Sequence, residues 1–275
     1  MANITASLVN ELRKRTGVGM MDCKKALVEC DGDMDKAIDY LREKGQKLAA
    51  KRADRDASEG AVLAAVSQDK TFAAVIMMNC ETDFVAKNDG FVDFTKTVLD
   101  AAIAAKAKDL QAVMSLAING VSVETMIIEQ VAKIGEKITL SHYLPIEAPA
   151  TYAYVHPGNR MASVVGLSKT GYDEEGKEMA MQVIAGRPVA LNKATVPAEV
   201  IEREMEVYRG QVREEGKPEN MVEKIAEGKL NKFFKESTLL SQEYTREAKV
   251  SVEEHLKKID KDLTVTAFQR AELGE

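Results

Sequence analysis

Apolar positions in residues 5 to 53 recur with the period of an α-helix, and two interruptions cut the stretch into three short helices. Ile4, Leu8, Val9 and Leu12 form one stripe behind a Thr5 cap, and Gly17 and Gly19 act as stop signals. A second helix carries Met20, Met21, Ala26 and Leu27. The "DGD" at 31 to 33 breaks it, and Asp33 caps a third helix with Ala37, Ile38 and Leu41 on one face. Residues 1–54 therefore read as a three-helix module, with the charged, Ala-rich stretch from Ala49 to Ser58 as the linker at its edge.

The period then changes. "AVLAAVS" and "TFAAVIMMN" are strand-length apolar runs around a polar "QDK" turn, a hairpin signal. Phe91, Phe94, Val98 and Ala101 to Ala105 predict an amphipathic helix, and a further helix is expected around Val123 to Ile134. In "EKITLSHYLPIE" the alternation puts Ile138, Leu140, His142 and Leu144 on one side of a half-buried strand. The order strand, turn, strand, helix recurs about 90 residues later in "TYAYVH", "PGN", "RMASVVGLS" and a helix through Met179, Met181, Val183 and Ile184, which suggests a duplicated unit.

Residues 197–234 read as an inserted helical hairpin. Ile201, Met205, Tyr208 and Val212 make a heptad seam, Pro218 opens the return, and Val222, Ala226, Leu230 and Phe233 face back. Ser251 and Glu254 fit a capping box ahead of Leu256 and Ile259, and "LTVTAFQRAEL" alternates as a closing strand. The fold class is α+β, with core subdomains at 55–147 and at 148–196 joined by 235–275.

Composition narrows the chemistry. The 275 residues carry a net charge of −6, against a general nucleic-acid coat. Residues 1 to 55 are net basic, however, through Lys44, Lys47, Lys51, Arg52 and Arg55. That cluster is a solvated helix face or a surface for an acidic partner or RNA. Three cysteines without a CxxC pair imply a reducing compartment and no structural zinc, and scattered His142, His156 and His255 make no triad or metal cluster. No GK[ST] follows a glycine-rich loop, so no nucleotide or other cofactor is expected to bind this chain directly. The longest apolar run, Phe72 to Met78, is too short to span a membrane, and the first residues lack a leader pattern; the expected location is cytoplasmic.

One stretch resists a purely structural reading. In "MMNCETDFVAKND", residues 77 to 89, Asp83 and Phe84 sit where strand gives way to helix. Asp83 can serve the helix N-terminus and Phe84, a heptad before Phe91, can be a core ring. Both can instead point outward at a partner, and the second copy, "GLSKTGYDEEG", makes the same turn without them.

"LRKRTGVGMMDCKKAL" (12 to 27) and "NCETDFVAKND" (79 to 89) resemble the two signature stretches of bacterial elongation factor Ts, the guanine nucleotide exchange factor of elongation factor Tu. The resemblance extends through the hairpin stretch "GKPENMVEKIAEGKLNKFF" to the closing strand. It implies a UBA-like N-terminal module and a coiled-coil hairpin that serves, in some arrangements, for homodimerisation. It also implies that Thr82, Asp83, Phe84 and Val85 dislodge Mg²⁺ from the partner, Phe84 as a wedge and Asp83 by disturbing the bonds that hold the ion. Arg13, Met20 and Met21 would dock on the partner's GTPase domain, and the second half of the core on another partner domain. Family members often continue into a C-terminal helical module, whereas this sequence ends at "RAELGE". No chemistry on the nucleotide is expected, hence no enzyme. The alternative is an RNA-binding or ribosome-associated protein using the basic face, against which the negative charge and the lack of interleaved aromatics argue.

Overall fold

The computed structural model describes residues 4–275. Helices α1 (Ala6–Thr16), α2 (Met20–Glu29) and α3 (Met34–Lys51) pack around buried Leu12, Cys23, Leu27 and Leu41. Their starts follow cap chemistry: Thr5 Oγ1 accepts the Leu8 N–H at 3.2 Å, and Asp33 Oδ1 accepts those of Asp35 and Lys36 at 3.1 Å. Gly17 closes α1, but Gly19 is the N-cap of α2 and not a second stop. Helix α3 also runs through the first residues of the stretch read as a linker, ending at Lys51.

Two antiparallel sheets follow. In the first, β1 (Glu59–Val66) and β2 (Phe72–Cys80) form a hairpin. After it come α4 (Asp83–Ala86), α5 (Asp89–Ala104), α6 (Leu110–Ser115), a small ladder of β3 (Ala117–Ile118) with β4 (Val121–Ser122), and α7 (Val123–Ile134). Strand β5 (Thr139–Glu147) then pairs with β2, giving the order β1-β2-β5. The second sheet is built from β6 (Ala150–Val155), β7 (Met161–Leu167), α8 (Asp173–Gly186), the helical pair α9 (Ala198–Glu214) and α10 (Glu219–Ser237), α11 (Val252–Ile259) and β8 (Val265–Glu272). Its order, β6-β7-β8, has the same topology as the first. The architecture is α+β with antiparallel sheets; α6 and the β3–β4 ladder are too short to show in the sequence pattern.

The sheets pack face to face with helices outside, so the central strands are covered on both sides. All nine residues of β2 are buried, which is why it reads as a continuous apolar run. Phe72, Ala74, Ile76, Met78 and Cys80 face α5 and α7, while Ala73, Val75 and Met77 face Ala162 and Val164 of the second sheet. The third strand departs from simple alternation. Ser141 is an extra residue opposite the Met77–Met78 step, so Ile138, Leu140 and Tyr143 lie on the helix side while Leu144 and Ile146 lie between the sheets. The expected face of Ile138, Leu140, His142 and Leu144 is thus split by a bulge, which exchanges inward and outward positions. Thr266 does the same opposite Gly166–Leu167.

Helices α9 and α10 run antiparallel, with Met205, Val212, Val222 and Ala226 buried between them. At their base Phe234 is buried with Ala190 and Val196, and Phe233 is only half-buried. The N-terminal helices lean on α7 through Gly45. A Cβ there would lie 3.0 Å from Ala132 Cβ and 3.3 Å from the Ile128 carbonyl, so any side chain at 45 would crowd the close approach of α3 and α7.

Candidate functional site

The corner between β2 and α4 is held by an interlocked pair of carboxylates. Helix α7 ends at Gly135 with φ of +84°, a left-handed cap that turns the chain so that Glu136 faces the end of β2. Glu136 Oε2 accepts the N–H groups of Glu81 and Thr82, each at 3.1 Å, and Oε1 accepts the Thr82 hydroxyl at 2.7 Å. In return, Glu81 Oε1 accepts the Lys137 N–H at 2.6 Å and Arg52 Nη1 at 2.7 Å. The Lys137 N–H, first, and Arg52 hold the Glu81 carboxyl below its ordinary range. Lys137 Nζ donates to the carbonyls of Ala53 and Arg55, tying the corner to the end of the N-terminal module.

What this clamp presents is an acid and a ring. Thr82, not Asp83, is the N-cap of α4: its Oγ1 accepts the Val85 N–H at 3.4 Å. Val85 packs against the first core. Asp83 is half-buried and accepts from Lys87 Nζ at 2.6 Å, and that hydrogen bond is the first cause of its lowered pKa, which keeps it ionised at neutral pH. Phe84 is 82% exposed, whereas Phe91, one heptad on, is 1% exposed. The reading of Phe84 as a core ring is therefore wrong: a one-turn helix does not carry the stripe of α5, because Lys87 and Asn88 separate the two.

The second sheet makes the equivalent corner differently. Asp260, just before β8 as Glu136 is before β5, accepts both Lys169 Nζ contacts at 2.8 and 2.7 Å and the Tyr172 hydroxyl at 2.7 Å. The aromatic residue of that corner is thus bound back to the fold, while Phe84 is not.

Arg13, Met20 and Met21 share the α1–α2 corner and are exposed, Met20 by 49% and Met21 by 74%. Val28, 54% exposed and seven residues after Met21 on α2, extends that apolar surface. It was missed in the sequence, although the heptad spacing from Met21 signals it. Of the basic cluster, Lys44 is paired with Asp22 and Arg52 with Glu81, which leaves a weaker anion-binding face than the sequence suggests. All three cysteine thiols are raised, first by burial and for Cys80 to about 12, so none is a ready nucleophile. Among the described residues no cluster of His, Cys, Asp or Glu could hold a metal ion, and no helix is long and apolar enough to cross a membrane.

The family model for "Elongation factor TS" matches residues 81–275, and that for "Elongation factor Ts, mitochondrial, N-terminal" matches residues 1–49. The chain is 50% identical over 276 residues to elongation factor Ts of Christiangramia forsetii, covering 100% of both chains. It is 45% identical to that of Flavobacterium psychrophilum and 43% identical to that of Chlorobium phaeobacteroides, again over 100% of each. With most of its length matched by one family model and full-length relatives of this similarity, the chain belongs to the elongation factor Ts family and has the role of a translation elongation factor.

Proposed function

We propose that this chain is the guanine nucleotide exchange factor of elongation factor Tu, and that its working part is the Thr82–Val85 corner. The observation that carries the proposal is Phe84, a ring 82% exposed on a turn that Glu136 and Val85 fix from behind. An exposed aromatic on a rigid support loses little conformational freedom when it enters an apolar slot. Beside it, ionised Asp83 brings negative charge to a site where the partner holds Mg²⁺ and phosphate. Displacing the ion and its ligands removes the charge compensation on which GDP binding depends. Arg13, Met20 and Met21 act as the anchor on the GTPase domain, on a module of UBA-like type, and the second sheet supports contact with a further domain of the partner. No bond of the nucleotide is made or broken, so the activity is exchange and not enzymatic turnover.

Linkage gives the test. A factor that expels GDP binds the nucleotide-free partner more tightly than the GDP-bound one, and GDP weakens it by the same ratio. Titration of elongation factor Tu with the chain should give tight binding without nucleotide and progressively weaker binding as GDP is added. Affinity independent of GDP overturns the proposal.

A further inference from the structure

We infer that Glu136 is the positioning residue of the exchange corner: its carboxylate sets the direction in which Asp83 and Phe84 project. The inference rests on the exchange reading above and adds to it a residue far from the corner in sequence. After Cys80 the β2 strand has ended, and the next two N–H groups, of Glu81 and Thr82, go to one oxygen of Glu136. The other oxygen takes the Thr82 hydroxyl proton. That choice leaves a lone pair of Thr82 Oγ1 for the Val85 N–H, which starts α4. Helix α4 has only four residues and cannot persist on intrinsic propensity, so it depends on this cap and on the packing of Val85 and Ala86. Phe84 itself makes no such anchor, being almost wholly exposed. Its direction is therefore inherited from Thr82, and that of Thr82 from Glu136.

A carboxylate that served stability alone would act independently of Phe84; one that aims Phe84 would not. The experiment is a double-mutant cycle on the full chain. Release of a fluorescent GDP analogue from elongation factor Tu is measured with wild type, Glu136→Ala, Glu136→Gln, Phe84→Ala and the Glu136→Ala/Phe84→Ala pair. Glu136→Ala should lower the maximal release rate by about tenfold, as expected when a reacting group is displaced by less than about an ångström, with a smaller change in the concentration giving half-maximal rate. Glu136→Gln should restore most of the rate, since the amide oxygen can take both N–H groups and the amide NH₂ can donate to Thr82. In the Phe84→Ala background Glu136→Ala should cost clearly less than in wild type, the remainder being the part it exerts through Asp83. Losses that multiply, or a Gln variant no better than Ala, overturn the inference. If Glu136→Ala fails to fold, Glu136→Asp, shorter by one methylene, should give the same kinetic loss, and wild-type rates in it overturn the inference.

Amide hydrogen exchange on the free chain separates this inference from the functional reading. Protection at Glu81, Thr82 and Val85 should fall in Glu136→Ala and survive in Glu136→Gln; unchanged protection in the Ala variant overturns the positioning role. Failure of the exchange reading looks different: the wild-type chain then fails to accelerate release at all, while loss of protection at the corner still follows Glu136→Ala.

Discussion

Two phenylalanines seven residues apart allow the stability and exchange roles of this region to be separated. Phe84 is 82% exposed and Phe91 is 1% exposed within the first core. Truncating Phe91 to alanine opens a cavity and should cost about 3–5 kcal/mol of folding stability. Phe84→Ala removes almost no buried contact and should stay within about 0.5 kcal/mol of wild type, as exposed substitutions do. Exchange should show the opposite order. Burying a Phe side chain in a partner's slot is worth about 1.5–3 kcal/mol, so Phe84→Ala should lower kcat/KM for GDP release about tenfold to a hundredfold. Urea unfolding followed by circular dichroism gives the first quantity, and stopped-flow release of a fluorescent GDP analogue gives the second. The reasoning fails if Phe84→Ala shifts the urea midpoint as Phe91→Ala does, or if it leaves release unchanged.

Other positions carry independent tests. Gly45→Val should push α3 from α7, where Ala132 Cβ would lie 3.0 Å from even the first added carbon, with a loss of about 1–3 kcal/mol and faster proteolysis between the N-terminal module and the core. Gly176→Ala gains up to about 1 kcal/mol of helix propensity but should still destabilise the second core in urea, since its Cβ would meet the Tyr152 ring at 2.1 Å. Asp260, held well below the usual carboxylate range by Lys169 first, then the Asp262 N–H and Tyr172, contributes stability above its unfolded pKa of about 3.9 that is lost as pH falls towards the lower folded value. Asp260→Asn should therefore lower the urea midpoint at pH 7 and much less in strong acid; an equal shift at both refutes the ionic account. The α9–α10 hairpin exposes Val207 and Met221, and we propose that it mediates self-association. Sedimentation should show concentration-dependent dimers that vanish when residues 197–234 are deleted, and a full chain that stays monomeric contradicts this.

Much of the fold is legible because its strongest patterns are local. The helical stripes of α5 and α7, the run of β2 and the Ser251–Glu254 capping box each lie within one short stretch of chain, so each can be read without knowing which element it packs against. The bulges at Ser141 and Thr266 are not legible, because one extra residue leaves the apolar pattern plausible while exchanging its faces. The site shows the same division. "TDFV" is conspicuous as a motif, yet heptad spacing made Phe84 and Phe91 look equivalent, and only the break at Lys87–Asn88 distinguishes them. Glu136 acts on residues more than fifty positions earlier, and in the sequence it reads as the first residue of a strand. Contacts of that separation carry no periodic signal.

The most direct test of the exchange account is release of a fluorescent GDP analogue from elongation factor Tu, with and without this chain, in Mg²⁺ and after Mg²⁺ has been removed with EDTA. The account predicts strong acceleration in Mg²⁺, most of it lost in Asp83→Ala, and a much smaller difference between wild type and Asp83→Ala once the ion is gone. Release that this chain does not accelerate in Mg²⁺ would contradict it.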